Sequence, residues 1–356
     1  MKRQITLVLS LFVIFLQLGC SSKSDESSNN STDSSAKVEQ LFSQGESYYQ
    51  ADDCQNSNDV FQSLVDTYPE SQYAAKAYYY LGMCLYKSEK YHQAVIQFEK
   101  AVNHPHGAEL VEAYYYGGHC WFQLENYQAA IDMFKPLIDD SSESTYWEQA
   151  VFYSGLSYYH LKQYQNAIEF LSTVESQQLL PLSLLYIAKS HYELAKQAER
   201  AEDQNERAEQ FVKARIALTQ LLTLTSIAEE WILASGGLLL GETYYQEKDY
   251  QNAFDAFMNV VETWPTTPSA PEAYYNAGKS SFYLSTTPYT ETMAIFHDIV
   301  AIYPEHEVSV GAGFYIGKIH YYNSDYLQSV ETLKLLITTT ITDKYKHLIL
   351  YYLVKD

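Results

Sequence analysis

One spacing recurs along the chain and limits what it can fold into. In residues 78–98, YYYLGMCLYKSEKYHQAVIQF, Gly82 is followed nine residues later by Tyr91, then by Ala94 and Phe98. The frame returns as Gly118, Tyr127, Ala130, Phe134 and as Gly155, Tyr164, Ala167, Leu171. It returns again as Gly241, Tyr250, Ala253, Phe257 and as Gly317, Tyr326, Ser329, Leu333. Two looser copies are Gly45, Cys54, Ser57, Phe61 and Gly278, Tyr289, Thr292, Phe296, the latter with two extra residues in its turn. An eighth has Ala188 at the glycine position, followed by Phe211, Ala214 and Leu218. Successive Tyr-equivalent positions are 37, 36, 37, 47, 39, 39 and 37 residues apart. A period of this size belongs to a helix–turn–helix unit.

The offsets inside the frame explain its residue types. Tyr91, Ala94, Val95 and Phe98 fall on one face of a helix. The Gly and the Ala sit where two helices approach closely, and a larger side chain would separate them. The turn between helices is polar, as in Lys87-Ser88-Glu89-Lys90. Tyr68-Pro69, Trp264-Pro265 and Tyr303-Pro304 recur fifteen residues after a Tyr-equivalent position. Proline cannot continue a helix interior, so these pairs end the second helix. Ser or Thr just beyond can cap the next one. Gly and Pro are otherwise scarce, at 14 and 9 of 356 residues, which argues against a turn-rich β protein.

The register resembles the tetratricopeptide repeat and covers about residues 38–343. The resemblance implies an all-α fold, a right-handed α-solenoid of about eight helix pairs plus a terminal helix. The repeat containing Phe211 departs most from the pattern. Its charged insert, ELAKQAERAEDQNERAEQ (residues 193–210), is rich in helix formers. It predicts two lengthened helices over about 183–222 that project from the array, with a turn near Asp203-Gln204-Asn205. The final segment, KYKHLILYYLVKD, predicts a terminal helix over the end of the stack, with low polarity for a cap and the composition of a contact surface.

The chain opens MKRQITLVLSLFVIFLQLGC. Lys2 and Arg3 precede an apolar run from Ile5 to Leu18, 14 residues long. That is short for a spanning helix and suits a signal-peptide core. Leu18-Gly19-Cys20 resembles the lipobox of bacterial lipoproteins, with Gln17 where that motif usually has Leu. The resemblance implies cleavage after residue 19 and a lipid (palmitate among its chains) on Cys20. Ser21 then implies sorting to the outer membrane, facing the periplasm or the cell surface. The segment SSKSDESSNNSTDSSAK has no apolar residue before Ala36, and such a stretch buries too little to fold. The expected organisation is a signal peptide over 1–19, a lipidated Cys and disordered tether over 20–37, and the repeat domain over 38–356. The tether would hold the domain roughly 20 Å from the bilayer.

The three remaining cysteines, Cys54, Cys84 and Cys120, cannot all pair within the chain. Cys84 and Cys120 occupy equivalent positions in successive repeats, too far apart for a bridge. All three read as small buried hydrophobes, with a Cys54–Cys84 bridge as the alternative.

Net charge is −21, which repels phosphate backbones, so nucleic acid is not an expected partner. The chain carries no GxSxG, HExxH, phosphate-binding glycine loop or CxxC, so the reading is a non-enzyme with no cofactor and no metal site. His104-Pro105-His106 lacks a third ligand and reads as turn chemistry. His119 beside Cys120 lacks an orienting partner and reads as packing.

Tyrosine stands out, at 35 residues. In the repeat family, ligand contacts come from the first helix of each pair, on the concave side. The resemblance places one aromatic row three before the Gly position: Tyr79, Tyr115, Phe152, Tyr275 and Phe314. A second falls four after it: Tyr86, Phe122, Tyr159, Tyr192, Tyr245, Phe282 and Tyr321. Met83, His119, Lys279 and Lys318 lie between them. The rows serve either as a partner-binding surface or as packing with hydroxyls at the surface.

Lipobox, polar tether and repeats together resemble BamD-type barrel-assembly lipoproteins and the Tol-Pal-associated repeat proteins of the CpoB type. The resemblance implies a scaffold that binds envelope proteins or peptides, in outer-membrane assembly or envelope maintenance. The second reading is a surface lipoprotein that captures a glycan or other small ligand on its aromatic face, loosely like SusD-type nutrient-binding proteins.

Overall fold

A computed structural model describes residues 27–355 apart from 109, 140–144, 285 and 340–342. Cys20, the expected signal peptide and the first part of the expected tether lie outside the described residues. Within them all regular structure is helical. The first four pairs are α1 (Ser27–Gln50) with α2 (Cys54–Thr67), α3 (Ala74–Lys87) with α4 (Tyr91–Asn103), α5 (Val111–Gln123) with α6 (Tyr127–Asp139), and α7 (Trp147–His160) with α8 (Tyr164–Leu171). The next four are α9 (Leu180–Arg200) with α10 (Gln204–Leu222), α11 (Glu230–Gln246) with α12 (Tyr250–Thr263), α13 (Ala270–Tyr283) with α14 (Tyr289–Ile302), and α15 (Glu307–Tyr322) with α16 (Tyr326–Thr339). The closing helix is α17 (Asp343–Lys355). This is the tetratricopeptide array of eight pairs plus a terminal helix. Each helix packs on those one or two places away in chain order.

The recurring Gly and Phe form one contact. A Cβ on Gly82 would come within 2.7 Å of the Phe98 ring, and one on Gly118 within 2.5 Å of Phe134. The same pairing joins Gly45 to Phe61, Gly241 to Phe257 and Gly278 to Phe296, with leucine as the partner at Gly155–Leu171 and Gly317–Leu333. The six phenylalanines Phe61, Phe98, Phe134, Phe211, Phe257 and Phe296 are all fully buried. The bare glycine face lets the first helix lie directly on the ring.

Turns and ends follow the residues that make them. Asp52, Glu89, Glu125, Lys162, Glu202, Lys248 and Ser324 lie in the left-handed region, with φ between 57° and 64°. Each is two residues ahead of the second helix of its pair, and the chain reverses there. The Lys90 N–H returns to the Leu85 carbonyl at 3.0 Å, an αL helix ending that glycine usually supplies. Tyr68, Trp264 and Tyr303 are the C-caps of α2, α12 and α14, as the following prolines require. The expected Ser/Thr caps do not form: Tyr73 and Ser269 begin α3 and α13 without a side-chain cap. Those helices are entered through backbone turns, such as Ala270 N–H to the Thr267 carbonyl at 3.1 Å. Side-chain caps come instead from Asp53, Asp203, Asp249 and His306.

Three expectations need correction. Cys54 and Cys84 form a disulfide with Cα atoms 5.5 Å apart, linking α2 to α3, while Cys120 stays free and buried. The neighbour that matters for Cys84 is the second helix of the preceding repeat, not the equivalent position in the next one. The tether segment is helical from Ser27, extending α1 toward the N-terminus ahead of its anchoring residues Val38 and Phe42. The insert does form two long helices, capped at Asp203, but they do not stand clear of the array. Arg207 donates to the Gln246 carbonyl at 2.6 Å, and Arg215 pairs with Glu247, so α10 is clamped to the end of α11.

Candidate binding surface on the first-helix face

The two aromatic rows take part in a ladder that joins successive repeats. The row three before each glycine lies against its own buried phenylalanine: Tyr79 on Phe98, Tyr115 on Phe134, Tyr275 on Phe296, with centroids 6.2–6.3 Å apart. Phe152 and Phe314 are 3% and 4% exposed, so these two belong to the core and present no surface. The row four after the glycine reaches forward twice. It meets the Tyr that opens its own second helix, in Tyr86–Tyr91, Phe122–Tyr127, Tyr159–Tyr164, Tyr245–Tyr250, Phe282–Tyr289 and Tyr321–Tyr326. It also meets a ring two before the glycine of the next repeat: Tyr49–Tyr80, Tyr86–Tyr116, Phe122–Tyr153, Tyr159–Tyr186 and Phe282–Tyr315, at 4.8–5.3 Å. Tyr192 lies on Phe211 of its own repeat. Ring faces and edges are spent largely on one another, each pair adding about 0.5–1.5 kcal/mol to ordinary burial.

The ladder has one gap. Two before Gly241 stands Leu239, and two before Gly278 stands Asn276, where five other repeats have a tyrosine (Tyr80, Tyr116, Tyr153, Tyr186, Tyr315). A cleft of about 170 Å³ opens at this place, lined by Tyr192, Glu242, Tyr245, Gln246, Phe257, Glu272, Asn276 and Lys279. Sequence reading had named Tyr192, Tyr245 and Lys279 here. It missed Glu242 and Asn276, although the missing tyrosines were a readable signal.

The residue one after each glycine decides the charge along this face. In α3, α5 and α7 it is Met83, His119 and Leu156; in α9, α11, α13 and α15 it is Lys189, Glu242, Lys279 and Lys318. The three lysines lie over rings: Lys189 over Tyr186 at 4.8 Å, Lys279 over Tyr245 at 4.7 Å and Lys318 over Phe282 at 4.5 Å. Such contacts stabilise a cation that is partly stripped of water. Burial pushes Lys189 and Lys318 below the usual ammonium range. His119 is likewise held neutral by burial and meets the Tyr86 hydroxyl through Nδ1 at 3.1 Å.

Glu242 is the acidic member of this row in the second half of the chain. Desolvation raises its carboxyl to about 7, and Glu272 nearby adds to the shift, while Lys279, Lys196 and Lys189 oppose it. No hydrogen bond or ion pair reaches Glu242 among the described residues. Glu46, in the same register position of α1, is satisfied: the Tyr80 hydroxyl donates to it at 2.6 Å and Lys76 lies 3.9 Å away. Tyr80 is the ladder tyrosine. Its counterpart beside Glu242 is Asn276, whose Oδ1 instead accepts from Lys279 at 3.0 Å.

Other side chains with chemistry are accounted for. His104 meets the Pro69 carbonyl through Nε2 at 2.8 Å, and the His106 N–H donates to its Nδ1 at 3.2 Å, so the His-Pro-His pair is a turn. Burial pushes the Cys120 thiol up to about 12, which makes it inert. Among the described residues no cluster of three metal-ligating side chains occurs. None of their helices is long and apolar enough to cross a membrane.

Comparison with known proteins agrees with this architecture. Residues 34–150 match a family described as outer membrane lipoprotein. Residues 149–177 and 237–267 match the tetratricopeptide repeat. No curated protein matches the chain. Among solved structures, the C-terminal part of a TPR repeat-containing protein from Cytophaga hutchinsonii is 15% identical, with a TM-score of 0.56 over 76% of this chain and 98% of that one. The apo form of RapI is 12% identical, with a TM-score of 0.52 over 85% of this chain and 86% of that one. These likenesses concern the fold alone.

Proposed function

We propose that the chain is an adaptor of the bacterial cell envelope, held at the outer membrane by a lipid on Cys20, that binds protein partners along its first-helix face. The observation that carries this reading is the match of residues 34–150 to the outer membrane lipoprotein family, continuous with a tetratricopeptide array. The Cys54–Cys84 disulfide supports it, because such bonds persist in oxidising compartments such as the periplasm. Partner contact falls to the half-exposed rings Tyr79, Tyr86, Tyr115, Phe122, Tyr159, Tyr192, Tyr245, Tyr275 and Tyr321 together with the charged row between them. Phe282, at 9% exposure, contributes only an edge. Glycan capture is less well supported, since stacking on sugars needs free ring faces and most of these face other rings.

In-cell cross-linking followed by mass spectrometry tests the reading. Envelope-assembly or envelope-maintenance proteins are expected among the products, and an absence of envelope proteins would overturn it. Incorporation of a palmitate analogue that is lost in Cys20→Ser is expected for the anchor.

A further inference from the structure

We infer that the cleft at Glu242 is a receptor for one basic side chain, a lysine or arginine, of the protein partner. This rests on the reading of the first-helix face as a partner surface, and it specifies the chemistry that face selects. Glu242 is a desolvated carboxylate at the one place where the ladder lacks its tyrosines. Its equivalent Glu46 has a direct hydroxyl donor and a lysine at 3.9 Å; Glu242 has no direct hydrogen bond or ion pair among the described residues and feels Lys279, Lys196 and Lys189 only through their charge. Glu242 is half-buried, and a partly desolvated carboxylate without a direct donor carries a cost. A ligand that brings an N–H and a positive charge removes that cost, so the site favours such a ligand over an apolar or anionic one.

The walls suit the same guest. Tyr192 and Tyr245 line the cleft and offer ring faces or edges to a cation, and Glu272 adds a second carboxylate at the rim. Lys279 does not fill the site, because it is held by Asn276 Oδ1 and by the Tyr245 ring. On α9, Lys196 is paired with Glu193 at 2.9 Å and Lys189 lies over Tyr186. At about 170 Å³ the cleft is smaller than ordinary small-molecule pockets, roughly 300–1,000 Å³, and fits a single side chain. The excess negative charge of the chain draws basic segments toward the array.

The test is calorimetric titration of the whole mature chain with tetralysine, and with tetraglutamate as the opposite probe. Tetralysine is expected to bind at pH 8 and to weaken severalfold at pH 6, where Glu242 holds its proton. Glu242→Gln should weaken binding about tenfold. Glu262→Gln removes an equal charge from an exposed site on α12 and should change it less than twofold, which separates the cleft from general attraction. Asn276→Tyr, which restores the ladder ring, should weaken binding as Glu242→Gln does. Equal affinity in Glu242→Gln and Glu262→Gln, or preferential binding of tetraglutamate, would overturn the inference. The titration reads the cleft itself, so its failure is distinct from a failure to recover envelope partners by cross-linking.

Discussion

The first four repeats and the last four share a register but differ in what fills it. From α1 to α8 every step between repeats carries a tyrosine two before the glycine, and the row one after the glycine turns from Glu46 to Met83, His119 and Leu156. From α9 onward that row is Lys189, Glu242, Lys279 and Lys318, and two of the ladder tyrosines are gone. The first half spends its rings on stability. The second gives up part of that packing and gains a polar cleft. In a repeat protein, a site can therefore arise by leaving out a structural residue, without adding an unusual one.

The largest test of that contrast is truncation of the buried rings. Phe134 lies between Tyr115 and Tyr153, whereas Phe257 has no aromatic partner among the described residues. Phe134→Ala should cost about 3–5 kcal/mol in urea unfolding followed by circular dichroism. Phe257→Ala should cost about 1 kcal/mol less, because no ring pair is lost. Equal losses would break the comparison. Reducing the Cys54–Cys84 bond, which closes a loop with a sequence separation of 30, should lower stability by about 3 kcal/mol. Hydrogen exchange should localise that loss to α1–α4 and leave the second half unchanged.

Glu242 gives the next effect. Its folded carboxyl titrates at about 7 against an ordinary 4.5, so the folded state keeps a proton that the unfolded chain releases. Stability is therefore greatest below pH 4.5, falls as pH rises through that window and levels off above 7, losing about 1–3 kcal/mol on this account. Glu242→Gln has no proton to lose, and its midpoint should exceed the wild type's at pH 8 while matching it near pH 4.5. The smallest effect is expected at the turns. Glu89, in the first half, sits at φ 57° and Lys248, in the second, at φ 63°; Glu89→Gly should raise stability by up to about 1 kcal/mol, and Lys248→Gly should do the same, showing that these turns, unlike the ladder, are equivalent in the two halves.

The repeat frame was legible because the contact that makes it allows few residues. A glycine, an alanine and a large apolar side chain at set offsets are what close helix packing demands, and Gly82 with Phe98 states that directly. The Tyr-Pro and Trp-Pro stops were legible for the same reason. The disulfide was not favoured because Cys54 occupies a tyrosine position of one repeat and Cys84 a first-helix position of the next. Comparing equivalent positions paired Cys84 with Cys120 and hid the neighbour across the joint. The clamping of α10 was invisible because Arg207 and Arg215 read only as surface charge until α11 was seen to end beside them. The cleft was the hardest to read, since its signal is an absence: Leu239 and Asn276 in a column of tyrosines, noticed only once Tyr80 is seen donating to Glu46.

Contact only between near neighbours in the chain has a mechanical consequence. Among the described residues no contact closes one end of the array on the other, so a pull along it is carried in series, joint by joint, as in a spring. The joint between α2 and α3 is different, because the Cys54–Cys84 bond bolts it covalently. A load arriving from the N-terminal side passes through that joint without opening it and is taken up by the softer, non-covalent joints beyond.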